Sequence, residues 1–312
     1  FGVTSALSNG RGTFTMATGS YVGNGNYQLF TGLKFSPDLV IIKGNTAQAG
    51  VFRTRNMGGD STAYLDSATA NLAGAIITIN SDGFAVGNSA TVNSSGVTYY
   101  WTAYGNAWKP ETNSGAADFY IGGYYGNGID SRNITRLPFQ ADLVSVKRSG
   151  ATAGAYRTSS MAGDLTGFYA ATAETTNNVQ SLNSDGFQVG TAANVNTLAN
   201  IYWYFGFKNG NNFKVGTYSG TGSAQTISAI GFQPDHVWVK QTGATRGILR
   251  TKEGATDSAL PFINVAAITG GITALASNGI TLGTAAETNS SGTNNYRYVA
   301  WRTPAVTFSS SG

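Results

Sequence analysis

The feature that most constrains this chain is that it is written three times. Gly-x-Tyr-x-Gly-x-Gly occurs at Gly19, Tyr21, Gly23 and Gly25, at Gly122, Tyr124, Gly126 and Gly128, and at Gly216, Tyr218, Gly220 and Gly222. A second block follows each time: Phe35-Ser-Pro-Asp38, Phe139-Gln-Ala-Asp142 and Phe232-Gln-Pro-Asp235. Five residues on stands a lysine (Lys43, Lys147, Lys240), ten further an Arg-Thr pair (Arg53, Arg157, Arg250), and seven further an aspartate (Asp60, Asp164, Asp257). Ser81-Asp-Gly-Phe84, Ser184-Asp-Gly-Phe187 and Ser277-Asn-Gly-Ile280 come next, then Asn93, Asn196 and Asn289, then an aromatic segment. The unit is about 100 residues, the size of a β-sandwich and longer than the roughly 20–50 residues of a solenoid rung or propeller blade. The chain divides into 1–109 (an N-terminal arm plus the first module), 110–209, and 210–312 (the third module plus a short tail). The joints at Lys109–Ser114 and Asn209–Asn212 are short and polar, so the modules sit close together, as a rod or as a triangle that mimics a trimer.

Alternation sets the secondary structure. Val40 and Ile42, Val144 and Val146, and Val237 and Val239 share one parity and are always apolar, whereas the other parity varies (Ile41 and Lys43, Ser145 and Lys147, Trp238 and Lys240). A period of two with one constant apolar face predicts a half-buried strand. The same test turns Phe52, Tyr156 and Leu249 inward, with Arg53, Arg157 and Arg250 on the opposite face. Asp82-Gly83, Asp185-Gly186 and Asn278-Gly279 are hairpin signals. No segment shows capped helical periodicity, although 61–75 is ambiguous. The expectation is an all-β chain of three tandem antiparallel β-sandwich modules, jelly-roll-like in type.

Composition narrows the chemistry. Cysteine is absent, which removes disulfides and thiolate sites, and the single histidine, His236, leaves little for a Ser-His-Asp triad or a two-histidine metal site. His236 stands where the other copies have Leu39 and Leu143, so it reads as a packing variant. Charged residues are only 11%, and the net +4 is spread without a basic run, so nucleic acid is disfavoured as a partner. No apolar stretch reaches the length of a membrane-spanning helix. Phe1 in place of Met suggests a processed chain or a fragment. No cofactor, metal site or catalytic residue is expected.

Two constellations remain. If Lys43 and Arg53 lie across a hairpin on one face, their repulsion is relieved by a carboxylate, Asp60 or Asp38. The same holds for Lys147, Arg157 and Asp164 and for Lys240, Arg250 and Asp257. The structural reading is a charge network pinning strands; the functional reading is a site for an anionic ligand such as sialic acid or phosphate. The aromatic pairs Tyr100 and Trp101, Tyr202 and Trp203, and Tyr298 and Trp301 are candidate interface or glycan contacts, alternation requiring about half of them to be core. The glycine-rich motif lacks the following helix that a phosphate loop needs, and reads instead as a bend or bulge. Thr13-Phe-Thr-Met16, within the arm, is a candidate strand for donation to a neighbouring subunit.

The strings Val215-Gly-Thr-Tyr-Ser-Gly-Thr-Gly222 and Ile230-Gly-Phe-Gln-Pro-Asp-His-Val-Trp-Val-Lys240, with the Ser-Asp-Gly-Phe turns and Tyr298-Val-Ala-Trp301, resemble a repeat of tailed-phage virion proteins. The resemblance covers nearly the whole chain, three times over. It implies a non-catalytic tail, fibre or capsid-surface component on the virion surface. Its implied partners are other copies of itself, other virion proteins and host-surface glycans, with no nucleic acid and no membrane insertion. The alternatives are a subunit of a secreted bacterial surface filament and a multivalent carbohydrate-binding module.

Overall fold

A computed structural model describes residues 12–291 and 295–305. In the first unit, eight strands form two antiparallel sheets. They are β1 (Thr15–Val22), β2 (Gln28–Phe30), β3 (Pro37–Gly44), β4 (Val51–Thr54), β5 (Ala63–Tyr64), β6 (Ile76–Asn80), β7 (Gly83–Val86) and β8 (Thr98–Gly105). One sheet runs β1-β8-β3-β4-β5 and the other β2-β7-β6, so first and last strands are neighbours, as in a jelly roll, but the split is five and three. The second unit repeats this with Phe119–Tyr125, Ile201–Phe207, Leu143–Arg148, Ala155–Thr158 and Gly167–Phe168 in its larger sheet. The third does so with Phe213–Ser219, Asn295–Trp301, His236–Gln241, Ile248–Thr251 and Leu260–Pro261. The fold is all-β in three tandem units. Residues 61–75 are extended and turn structure around β5.

Within each unit the two sheets close on a core of the constant parity. In the first it holds Tyr21, Val40, Ile42, Phe84, Tyr99 and Trp101. The motif glycines belong to this packing: a Cβ at Gly19, Gly122 or Gly216 would lie 2.2–2.4 Å from the ring of Trp101, Tyr204 or Tyr298 on the paired strand. Only glycine lets the aromatic lie flat across its neighbour.

The variable parity does not face water. All eight residues of β3 are buried, as are all six of His236–Gln241, so these strands are covered on both faces and not half-exposed. Their second face enters one core shared by all three units, containing Leu39, Ile41, Phe52, Leu143, Tyr156, Trp238 and Leu249. Arg53 and its counterparts are correspondingly turned into the sandwich interior, not out of it. At the centre, the rings of Tyr104, Phe207 and Trp301, one from each last strand, pack in a triangle with centroids 5.1, 5.6 and 5.7 Å apart.

Backbone hydrogen bonds close the triangle. Gly50 N–H donates to Phe262 O (2.6 Å), Gly154 to Leu65 (3.0 Å) and Gly247 to Tyr169 (3.0 Å). In the reverse direction Asn71 donates to Ser149 O (2.9 Å), Glu174 to Thr242 (2.8 Å) and Ala267 to Asn45 (2.9 Å). Each pair of units therefore exchanges two bonds, and the ring is closed with no free end. Of the two arrangements open to the sequence, the triangle is formed and the rod is not.

The candidate donor strand is also placed. Phe14 and Met16 are buried in the shared core, Phe14 meeting Phe207 edge-on at 5.5 Å, and Thr13 Oγ1 and Phe14 N–H both donate to Asp118. Residues 13–16 thus serve their own fold; donating them would empty the centre of the molecule. Arm residues 1–11 lie outside the described residues.

Candidate functional site: the charged positions and the axis

The lysine and arginine of each copy point to opposite faces. Val40 pairs with Arg53 and Ile42 with Val51, so Arg53 shares the parity of the sandwich interior while Lys43 shares that of the inter-unit core. The expected Lys–Asp–Arg network is formed only in part: Asp60, Asp164 and Asp257 act electrostatically on Arg53, Arg157 and Arg250, but among the described residues none of the four ion pairs includes these groups or the lysines. Backbone carbonyls take the place of carboxylates. Lys43 Nζ donates to Gly44 O (2.7 Å), Thr46 O (3.2 Å) and, across the interface, Val265 O (3.2 Å). Lys147 Nζ does the same with Arg148 O, Gly150 O and Thr69 O of the first unit, and Lys240 Nζ with Gln241 O and Gly243 O. Burial pushes Lys43 down to about 7 and Lys147 and Lys240 to about 8, and raises the Asp66 carboxyl, which faces Lys43 and Lys147, to about 6.

The arginines hold the neighbouring loop. Arg53 donates to the carbonyls of Met57, Gly59, Ser61 and Ile76, and Arg157 to those of Met161, Gly163, Leu165 and Val179. Asp60, Asp164 and Asp257 each accept a backbone N–H from the following loop, at Gly74 (2.9 Å), Asn177 (2.9 Å) and Gly270 (2.7 Å). Asp38, Asp142 and Asp235 each accept one just past the last strand, from Ala107, Asn209 and Thr303.

Asn93, Asn196 and Asn289 are fully buried and bind both ends of the glycine-rich turn. Asn93 donates to Asn26 O and Gly87 O and accepts from Asn24 N–H and Gln28 Nε2; Asn289 repeats the pattern with Gln225, and Asn196 repeats it with Arg132 Nη1 in place of the glutamine. The motif tyrosines stack on the last strand at 5.0–5.2 Å, as Tyr21 on Tyr99, Tyr124 on Tyr202 and Tyr218 on Tyr296.

The proposed aromatic contacts are interior. Tyr100, Trp101, Tyr202, Tyr298 and Trp301 are all buried and Trp203 is half-buried against the shared core. Alternation sends one neighbour into the sandwich and the other toward the axis, so five of the six are covered and only Trp203 keeps part of its surface.

His236 sits at the axis, 1% exposed, in register with Trp301 and stacked on it at 5.1 Å. Trp238 Nε1–H donates to its Nε2 at 2.7 Å, so the ring proton is on Nδ1, which donates to Tyr104 Oη at 2.8 Å. Burial pushes the imidazole down to about 3. A neutral ring with both nitrogens occupied and no cleft beside it is a packing element, not a proton-transfer group. Beside Trp238, a cavity of about 10 Å³ lined by Tyr156, Tyr169, Lys240, Phe262 and Arg297 holds at most one water. Among the described residues no cluster of His, Asp and Glu has the makings of a metal site.

One departure between copies escaped the sequence reading. Between arginine and aspartate stand Met57-Gly58-Gly59 and Met161-Ala162-Gly163, but Gly254-Ala255-Thr256 in the third copy. Met57 and Met161 are buried in the shared core and anchor the loop, a hold that Gly254 cannot supply.

Residues 208–311, which span the third unit, match a domain of unknown function (DUF7483). No curated protein matches the chain.

Proposed function

We propose that this chain is a non-catalytic structural protein of a tailed-phage particle, a tail, fibre or capsid-surface component that associates with copies of itself and with other virion proteins. The observation that carries this reading is the closed ring of three sandwiches, in which the recurrent charged and aromatic residues are consumed by holding the body together. A single chain thereby presents three similar outer faces round one axis, the form needed to sit on a three-fold or trimeric seat in an assembly. The resemblance of all three copies to virion repeats supports the same reading. On this reading the protein sits on the virion surface, where host-surface glycans are within reach. The test is mass spectrometry of purified particles from the producing phage: the protein should be present at a fixed stoichiometry to a tail or capsid component. Its absence from particles, with the chain found only in the lysate or the medium, overturns the reading.

A further inference from the structure

The third unit departs from the other two at one buried arginine. Arg53 and Arg157 each donate from Nη1 and Nη2 to four carbonyls, three from the following loop and one from the smaller sheet. Arg250 keeps only the last of these, with Nη1 donating to Ile272 O at 2.6 Å. Nε is unpartnered, as it is in Arg53, but Nη2, which takes two loop carbonyls in each of the other units, takes none among the described residues here, in a residue only 7% exposed. The cause lies in the loop. Gly59 and Gly163 take positive φ (60° and 55°) and turn their carbonyls to the arginine; in the third unit Thr256 stands there and the positive φ moves on to Asp257 (55°). With Gly254 in place of the anchoring methionine, the loop stands away from the guanidinium.

What opens is a cleft of about 360 Å³, lined by Arg250, Lys252, Asp235, Gln233, Thr256, Thr273 and the apolar Pro234, Ala274 and Leu275. A buried guanidinium with unused donors binds a planar oxyanion strongly and directionally. Lys252 adds a second cation and is itself held at 3.3 Å from Asp235. Asp257 also acts on Arg250, so two cations face two carboxylates and the free guanidinium edge, not net charge, is what receives an oxyanion; the two carboxylates repel a dianion more than a monoanion. Hydroxyl and amide groups beside apolar side chains, in a volume of this size, suit one pyranose ring.

We propose that this cleft binds the carboxylate of an acidic sugar, with Arg250 as the anchoring group and Lys252 assisting. The arginine without loop carbonyls belongs to the third unit, and the proposal stands apart from the assembly reading: the binding test below contains no particle, so either can fail without the other.

The test is titration of the full chain with D-glucuronate, followed by NMR chemical shifts or calorimetry, with D-glucose and inorganic phosphate as comparison ligands. Glucuronate should bind saturably, with glucose at least about tenfold weaker because it lacks the charge that Arg250 answers, and phosphate weaker than glucuronate. Lys252→Ala, at an exposed position, should weaken glucuronate about threefold or more with the melting temperature unchanged. The double substitution Gly254→Met, Thr256→Gly rebuilds the loop of the other units and should abolish binding while keeping or raising stability. Absence of saturable binding, phosphate binding tighter than glucuronate, or full affinity retained in both variants overturns the proposal.

Discussion

Replacing His236 with leucine, the residue at both equivalent positions, gives a sharp test of the axis core. In the folded chain the imidazole titrates near 3, against an ordinary value of 6.5. Above pH 6.5 it is neutral whether the chain is folded or unfolded, so the histidine imposes no pH dependence there. Below 6.5 the unfolded chain takes up a proton that the folded chain refuses, so stability falls as pH falls, down to about 3. The slope is about 1.4 kcal/mol per pH unit, so the step from 6.5 to 5 removes about 2 kcal/mol. His236→Leu abolishes this loss but orphans Tyr104 Oη and Trp238 Nε1, costing about 1–3 kcal/mol each at neutral pH. The variant should therefore be the less stable at pH 7, and its deficit should shrink by about 2 kcal/mol at pH 5. Asp66, raised by burial to about 6, contributes in the opposite sense, but it is common to both proteins and cancels in the comparison. The chain has one histidine, so the difference between the two profiles reports this group alone. Urea unfolding followed by tryptophan fluorescence at pH 7, 6 and 5 measures it. Parallel profiles would show that the ring is hydrated or already charged, and the packing argument would fail.

Two further substitutions probe the ring. Gly154→Ala would place a methyl 2.2 Å from Leu65 O, where one unit's backbone meets the next, and should cost about 1–3 kcal/mol by thermal denaturation, whereas Gly58→Ala, facing open space, should change little. Arg297 and Glu174 form a bidentate pair between the third and second units (2.8 and 2.9 Å), 11% and 5% exposed. Glu174→Ala should cost about 3–5 kcal/mol by leaving the guanidinium uncompensated, and Arg297→Met in the same chain should recover much of it. No recovery in the double variant would show that the loss came from packing and not from charge.

The repeat, the strand parity and the hairpin turns were all legible from residue spacing, because spacing is what a strand pairing conserves. The constant parity of Val40 and Ile42 and their counterparts forms the sandwich interior, but on the next strand the expected sides are exchanged: Phe52, Tyr156 and Leu249 enter the inter-unit core and the arginine takes the sandwich side. The partner parity was misread as a surface because it varies, and variation usually means solvent. Here it varies for another reason: each copy turns this face into one shared interior and meets different neighbours there, Ile41 and Trp238 lying in the apolar cluster while Ser145 accepts the Tyr169 hydroxyl. The Lys–Arg pairing failed because the ten-residue spacing does not reveal how much of it is loop; three residues of register separate Lys43 from the partner of Arg53. An outer member of each aromatic pair follows from the premise of one wet face, but the second face is covered by the neighbouring units and only Trp203 keeps part of its surface. The substitution of Gly254 and Thr256 for Met57 and Gly59 was visible in the repeat, but its consequence for Arg250 needed coordinates.

Joining the three units in one polypeptide changes what dilution can do to them. Three separate chains meeting through these surfaces would fall apart at low concentration, whereas here each interface is closed by tethered partners and persists at any concentration at which the chain itself is folded. The tether also frees each unit to change alone. From a distance the body has three-way symmetry, yet only one of its corners bears the open arginine, so a symmetric socket that contacts that corner distinguishes one of three otherwise similar rotations.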